Sequence, residues 1–272
     1  MRRKLSIALL LLILLTFWLI WGNCALQVSS FVIESEELPL AFDGFRIAQV
    51  SDLHNSGLWE RVAAELEETK PDIIVLTGDL IDSSRTDVAA ALAFAERATD
   101  IAPCYYVSGN HEAWSPGHWD ALCEGLSRAG VVMLEDEKTT LERDGETMTL
   151  IGLRDPAFGG DQASVLNALT AGEGYTIALS HRPERFRLYV GAGVDLVFSG
   201  HAHGGQFRIP LVGGLIAPDQ GFFPEYDAGL YEMEDTVMLV SRGIGNSIIP
   251  MRIHNRPELV IAELKVSVGF LE

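Results

Sequence analysis

The chain has 272 residues, with 38 acidic against 20 basic side chains and a formal net charge of −18. That length allows one large domain or two small ones once any targeting segment is set aside. The acidity works against a nucleic-acid or anionic-lipid partner unless cations intervene. The three cysteines, Cys24, Cys104 and Cys123, show no paired spacing; they imply no disulfide framework, only a Cys104–Cys123 bridge or, more simply, buried free thiols.

The chain opens with Arg2, Arg3 and Lys4, followed by an apolar run from Leu5 to Trp21 broken only by Ser6 and Thr16. A membrane span needs about 20 apolar residues, a length reached when residues 22–26 are counted. A cleaved signal peptide has a shorter apolar core and small residues at its cleavage site. Here Trp18, Trp21 and Asn23 crowd that position, so residues 1–27 read as an uncleaved, single-pass signal anchor. Trp21-Gly22-Asn23 before Cys24 is also a poor lipobox. The basic cluster stays on the cytoplasmic side, which puts residues 28–272 outside the cytoplasm as one domain. The first 26 residues hold three basic and no acidic side chains, so this domain carries −21.

From Phe45 onward short apolar runs alternate with helical stretches. A strand is predicted over 45–50, ending at Ser51-Asp52-Leu53-His54. A helix follows over 59–68 with Val62, Ala63 and Leu66 on one face. Residues 72–76 form a buried strand ending at Thr77-Gly78-Asp79. Residues 86–98 are helical, with Asp87 suited to the first turn. A third strand over 104–107 ends at Ser108-Gly109-Asn110-His111-Glu112. Further strands are predicted over 147–151, 175–179, 195–198, 207–209, 236–240 and 259–264. Strands alternating with helices give an α/β layered domain. No repeat, low-complexity tract or inserted cap domain is visible.

Five polar clusters stand out, most of them directly after a predicted strand: Asp52-Leu53-His54, Gly78-Asp79, Gly109-Asn110-His111-Glu112, Ser180-His181 and Gly200-His201-Ala202-His203. Ligands collect at strand ends in α/β sheets, and five of the seven histidines lie in these clusters. Singly, each has a bland reading: a structural Asp-x-His, a turn, a helix cap. Together and in this order they do not. Carboxylate, imidazole and amide oxygen form a borderline-to-hard donor set that suits Mn, Fe or Zn and argues against a thiolate site. If the chain stays extended, Asp52 and His54 share one face, as do His201 and His203. A carboxylate such as Asp79 on a glycine turn can bridge two cations, and two cations about 3.5–4 Å apart hold a hydroxide and clamp a phosphoryl group.

The ordered set resembles the signature of calcineurin-like metallophosphoesterases from Asp52 to His203, extended by Gly204-Gly205-Gln206. The segment Ser241-Arg242-Gly243-Ile244-Gly245, with Pro250, Arg252 and Pro257-Glu258, is similar to the bacterial membrane-associated YkuE/YaeI-type branch. The resemblance implies a four-layer αββα sandwich behind one N-terminal transmembrane helix, and two divalent metals, manganese favoured. It implies that Asp52, His54 and His203 bind the first metal, that Asn110, His181 and His201 bind the second, and that Asp79 bridges both. His111 is then the general acid, with Asp82 orienting it.

Ser83 and Ser108 stand where protein phosphatases of the superfamily carry arginines, and Asp82 stands where purple acid phosphatases carry a metal-binding tyrosine. Fewer phosphate-clamping cations favour phosphodiester or pyrophosphate substrates, lipid-linked or nucleotide, over monoesters. Arg242 is either a replacement cation or half of a salt bridge. Trp114 and Trp119 read as core, as does Phe222-Phe223-Pro224, which would touch the membrane if exposed. His118 and His254 read as solvated. A nuclease is opposed by the −21 charge and the lack of a basic stripe. A non-catalytic metal-binding envelope protein is opposed by the intact ligand set.

Overall fold

The central strands are continuous apolar runs with both faces to bury, and the architecture follows from that. The computed structural model describes residues 2–172, 174–246 and 249–267. In chain order the elements are α1 (Arg2–Cys24), β1 (Gln27–Ser35), β2 (Arg46–Val50), α2 (Trp59–Thr69), β3 (Ile73–Thr77), α3 (Val88–Thr99) and β4 (Cys104–Val107). There follow α4 (Asn110–Ala113), α5 (Pro116–Arg128), β5 (Val132–Met133), β6 (Glu137–Arg143), β7 (Glu146–Gly152) and α6 (Gln162–Thr170). The chain continues through β8 (Thr176–Leu179), α7 (Phe186–Gly191), β9 (Leu196–Ser199), β10 (Gly229–Met233), β11 (Thr236–Val240) and β12 (Glu258–Val266).

One six-stranded sheet has the order β1-β12-β2-β3-β4-β5 and the other β10-β11-β9-β8-β7-β6. In the first, β2, β3, β4 and β5 run parallel and β12 is antiparallel to β2. In the second, β7, β8, β9 and β11 run parallel. Alternation sorts the side chains. Ile73 and Val75 of β3 and Leu196 and Phe198 of β9 face inward, into a cluster sandwiched between the sheets. Ile74 and Leu76 face α2, α3 and α5 through Leu66, Phe94 and Leu126. Val197 and Ala178 face α6 and α7 through Leu166 and Tyr189. The result is the expected αββα sandwich, preceded by α1.

Local signals explain the helices. Asp87 caps α3 by accepting the Ala90 N–H at 3.1 Å, as its sequence position implies. The chain leaves α2 through Lys70 at φ 48°, the left-handed exit that closes many helices. Strand β1 is absent from the sequence-based expectation because it is an edge strand with mostly half-exposed side chains; its register comes from a nine-residue parallel ladder with β12. The cysteines are free, with Cys104 buried and Cys24 exposed.

Helix α1 is long and apolar enough to cross a membrane, and none of its apolar window is buried in the protein. Its last turns are tied to the domain. Asn23 Nδ2 donates to the Arg252 carbonyl at 3.0 Å, and the Arg252 N–H returns a bond to Asn23 Oδ1 at 2.7 Å. Arg256 donates to the carbonyls of Ala25 and Leu26 and lies over the Trp21 ring.

Phe198 is fully buried between the sheets, so Phe198→Ala removes the contact that β9 makes across the sandwich. Its unfolding free energy, read from a urea midpoint at unchanged m, falls by about 3–5 kcal/mol.

Candidate metal centre

Strands from both sheets end at one rim. Gln49 of β2 ties them together there, its Nε2 donating to Thr77 Oγ1 at 3.0 Å and to the Ser199 carbonyl at 2.9 Å. Just past the rim the chain turns sharply, and the turns are left-handed. Asp52, His54, Asp79, His201 and His203 all have φ between 46° and 64°. This corrects the expectation that Asp-x-His converges by strand alternation: the paired side chains are aimed by a tight turn instead. Such backbone costs on the order of 1–3 kcal/mol per residue and clusters at functional sites. Gly78, at φ 88°, allows the turn before Asp79, and a Cβ there would lie 2.7 Å from His181 Nδ1. Gly109 is equally confined, because a Cβ on it would overlap Asp79 Oδ1.

The expected ligands meet in two overlapping groups. Asp52, His54, Asp79 and His203 each bring one ligand atom to within 4.8 Å of the others, as do Asp79, His181 and His201. Asp79 belongs to both. Its Oδ2 stands 3.6 Å from His54 Nε2 and 3.1 Å from His181 Nε2, while its Oδ1 accepts the His111 N–H at 2.8 Å. His54 Nε2 and His203 Nε2 face each other at 3.2 Å, and Asp52 Oδ1 lies 3.3 Å from His203. The Nδ1–H of His181 donates to the Thr77 carbonyl at 2.7 Å, which turns Nε2 toward Asp79.

Burial dominates the titration of this cluster. It lowers the pKa of His54 to about 3, of His201 to about 4 and of His203 well below the usual range, so these rings are neutral and offer lone pairs. It raises Asp52 to about 6. For His181, burial is outweighed by Asp79 and Asp52, which raise it to about 10; Asp79 is correspondingly held well below the carboxylate range, against its own burial.

Asn110 belongs to the four-residue helix α4. Its buried Oδ1 meets no donor among the described residues. An orphaned amide oxygen, facing imidazole nitrogens and buried carboxylates form a set of acceptors that hydrogen bonds leave unsatisfied and a cation satisfies. The donor set therefore fits divalent metal ions.

His111 and Asp82 sit beside the first group, where His54, Asp82 and His111 also bring one ligand atom each within 4.8 Å of one another. Ser83 contacts His111 Nδ1 twice, through its N–H at 3.0 Å and its Oγ at 3.2 Å. Asp82 accepts from Ser84 and Arg85 through Oδ1, and its Oδ2 lies 3.9 Å from His54 Nδ1. Ser83 thus backs the His111 ring at Nδ1, and Asp82, expected to orient it, has a carboxylate oxygen within 4.8 Å of a His111 ring nitrogen. Arg242 pairs with Glu258 at 2.7 Å and lines a cavity together with Trp18 and Arg252; of its two sequence readings, the salt bridge is formed. Trp114 is 56% exposed, with its ring 5.2 Å from that of His111, so it borders the site rather than the core. Trp119 packs against the core and Phe158. Phe222 and Phe223 are exposed, contrary to the core expectation.

Four residues at the site were given no role by the sequence reading. Arg182, directly after His181, forms a bidentate pair with buried Asp155 at 2.6 and 2.9 Å and reaches His201 Nε2 at 2.9 Å. Asp219 meets the same His201 nitrogen at 2.8 Å and also pairs with Arg182. Glu112 gathers the Gly109, Asp79 and Ile81 amides at 2.8, 2.9 and 3.2 Å. For Glu112 the signal was present, since it is the third residue of α4 and caps its start. For Asp155 and Asp219 no local motif exists; only tertiary contact reveals them.

A two-sheet sandwich with a buried histidine–aspartate cluster at its rim defines a metal-binding hydrolase scaffold. Residues 45–205 match the calcineurin-like phosphoesterase family, and the chain belongs to it. It is 32% identical to the metallophosphoesterase YkuE of Bacillus subtilis, over 88% of this chain and 86% of the relative. It is 30% identical to phosphodiesterase YaeI of Escherichia coli, over 81% and 82% respectively. A zebrafish (Danio rerio) transmembrane protein with a metallophosphoesterase domain is 31% identical, over 86% of this chain and 56% of that one. Among solved structures, the NAD nucleotidase NadN of Haemophilus influenzae shares the fold at 16% identity and a TM-score of 0.50, covering 73% of this chain and 45% of that chain.

Glu112→Ala would strand three buried amides that carry the Gly-Asp and Gly-Asn-His turns. The unfolding free energy falls by about 3 kcal/mol or more, with Glu112→Gln recovering part of it by keeping one acceptor; thermal unfolding of both variants checks the ranking.

Proposed function

We propose that this chain is a two-metal phosphodiesterase or pyrophosphate hydrolase held at the membrane by α1, with its site outside the cytoplasm. The observation that carries the reading is Asp79: a single carboxylate oxygen within 3.6 Å of the His54 group and 3.1 Å of His181 is suited to bridging two cations. In this assignment Asp52, His54 and His203 hold one ion, Asn110, His181 and His201 the other, and Asp79 both. Two such ions, manganese favoured and iron or zinc also suited, supply charge neutralisation of the phosphoryl oxygens and activation of water. The name of the YaeI relative supports diester chemistry, and the transmembrane relative supports attachment to a membrane.

The chain's own residues then do the following. His54 and His203 stay neutral through burial and so remain ligands rather than proton carriers. His181, whose proton is held by Asp79 and Asp52, would have to give it up to hold an ion, so loading would release a proton. His111 donates to the leaving-group oxygen. The Ser83 N–H donates to Nδ1 at 3.0 Å, which orients the ring and leaves its proton on Nε2, with Ser83 Oγ also 3.2 Å from Nδ1. Arg85 is exposed and lines a groove with His54, Asp82 and Pro250, so it joins Arg242 as a cation placed to meet substrate.

Hydrolysis of a chromogenic phosphodiester against the matching monoester, with and without manganese, tests the reading. Diester preference abolished by chelator is the expected result. Monoester preference restores a phosphatase, and metal binding without turnover of either leaves a binding role. Asp79→Asn should lower bound metal, counted by elemental analysis, from two ions to at most one per chain. His111→Asn should keep both ions and reduce kcat by about 10²–10⁴-fold on esters with poor alkoxide leaving groups. The loss should be small on nitrophenyl esters, whose leaving group needs no proton.

A further inference from the structure

Five of the exposed large apolar side chains outside α1 fall within residues 209–223: Ile209, Leu211, Val212, Phe222 and Phe223. They lie on two small hairpins, Arg208–Ile209 with Gly213–Gly214 and Ile216–Ala217 with Gly221–Phe222. Leu211 is fully exposed, and Val212, Phe222 and Phe223 are 63%, 70% and 62% exposed. So much exposed apolar surface, concentrated on two hairpins of a domain of net charge −21, points to an apolar partner.

The position of these hairpins relative to α1 identifies the partner. Leu211, Val212, Pro224 and His254 line one cavity, and the His254 ring packs edge-on against Trp18 at 4.9 Å. Trp18 lies six residues before the end of α1 at Cys24, or about 9 Å back along the helix axis. From Arg3 to Cys24 the helix has 22 residues, about 33 Å in all, hardly more than the roughly 30 Å hydrocarbon core. Its whole length is needed to span, so whatever packs at the level of Trp18 is already at interfacial depth, where tryptophan itself is favoured.

We propose that residues 209–223 form a lipid-inserting platform that enters the outer leaflet beside α1 and holds the metal centre against the bilayer surface. The occupant is the bilayer that α1 itself enters. Two contacts tie platform and anchor to the site. Arg252, whose backbone binds Asn23 of α1, places Nη2 3.4 Å from His203 Nδ1. Asp219, between the strands of the second hairpin, reaches His201 Nε2 at 2.8 Å. A substrate at this site is therefore a phosphoester carried on a lipid, with its head group lifted to the rim. That substrate class rests on the proposed phosphodiesterase activity; the platform does not. Insertion is apolar rather than electrostatic, because the acidic domain repels anionic head groups.

The test uses full-length protein carrying Cys24→Ser and Cys123→Ser in phosphatidylcholine nanodiscs. A nitroxide is attached in turn at Leu211→Cys, at Leu10→Cys within α1, and at Leu40→Cys on the exposed surface. The readout is collision with oxygen, which partitions into lipid, against collision with a water-soluble nickel chelate. Leu211 should resemble Leu10 and differ from Leu40. Chelate access at Leu211 equal to that at Leu40 overturns the platform while leaving α1 as a span. Shielding from both reagents points to a protein contact and also overturns it. Chelate access at Leu10 removes the span and the platform together.

For the substrate class, Leu211→Asp with Val212→Asp should slow hydrolysis of a diacylglycerol-linked nitrophenyl phosphodiester in vesicles at least about tenfold, the effect of no longer burying two apolar side chains. Bis-nitrophenyl phosphate in solution should be hydrolysed as before. Equal loss on both substrates overturns the lipid-linked reading, and no turnover of either by the unaltered protein counts against the phosphodiesterase assignment rather than the platform.

Discussion

The structure depends on crowding hydrogen-bond acceptors into one buried place. Asp52, His54, Asp79, Asn110, His181 and His203 have almost no solvent contact, and the described donors do not satisfy them all. Burying such groups without partners is strongly unfavourable. Within the protein the conflict is eased by ion pairing of His181 with Asp79 and Asp52, which pull its pKa up to about 10 despite its burial. A bound divalent cation relieves it more fully. The rim is a place where the chain accepts instability in the empty state in exchange for affinity in the loaded one.

Holding those groups in place takes rigid backbone. Left-handed turns at Asp52, Asp79 and His201 follow directly on parallel strands, and the two sheets are locked at the same rim by Gln49 and by the His181–Thr77 bond. Glu112 then fixes the amides of the second and third turns with one carboxylate. The inner cluster between the sheets makes this rim a property of the whole sandwich, since neither sheet by itself brings His54 and His203 to 3.2 Å.

Membrane attachment and chemistry meet at Arg252. It is buried, binds α1 through its backbone, and turns its guanidinium toward His203. Burial lowers its pKa to about 10, which still leaves it charged at neutral pH. A site one side chain away from the end of a hydrophobic helix is oriented by that helix, and His254, packed on Trp18, shares a cavity with Leu211 and Val212 of the first hairpin.

Much was legible in the sequence. The central strands and α2 and α3 fall within one or two residues of their expected ends, because buried parallel strands read as short apolar runs and those helices as amphipathic ones. The ordered polar clusters located Asp52, His54, Asp79, Asn110, His111, His181, His201 and His203, and the structure gathers them at one rim. Periodicity does not register an edge strand such as β1, whose side chains are half exposed, or the exposure of Phe222 and Phe223, which depends on what the rest of the chain leaves uncovered. By itself, then, the sequence determined the order of the elements, the donor chemistry and the apolar N-terminal helix, all of which are encoded locally. Tertiary structure alone decided that Arg242 pairs with Glu258, that Ser83 backs His111, and that Arg182, held by Asp155, and Asp219 converge on His201. Those contacts join residues far apart in the chain, and no local pattern specifies the approach of two sheets.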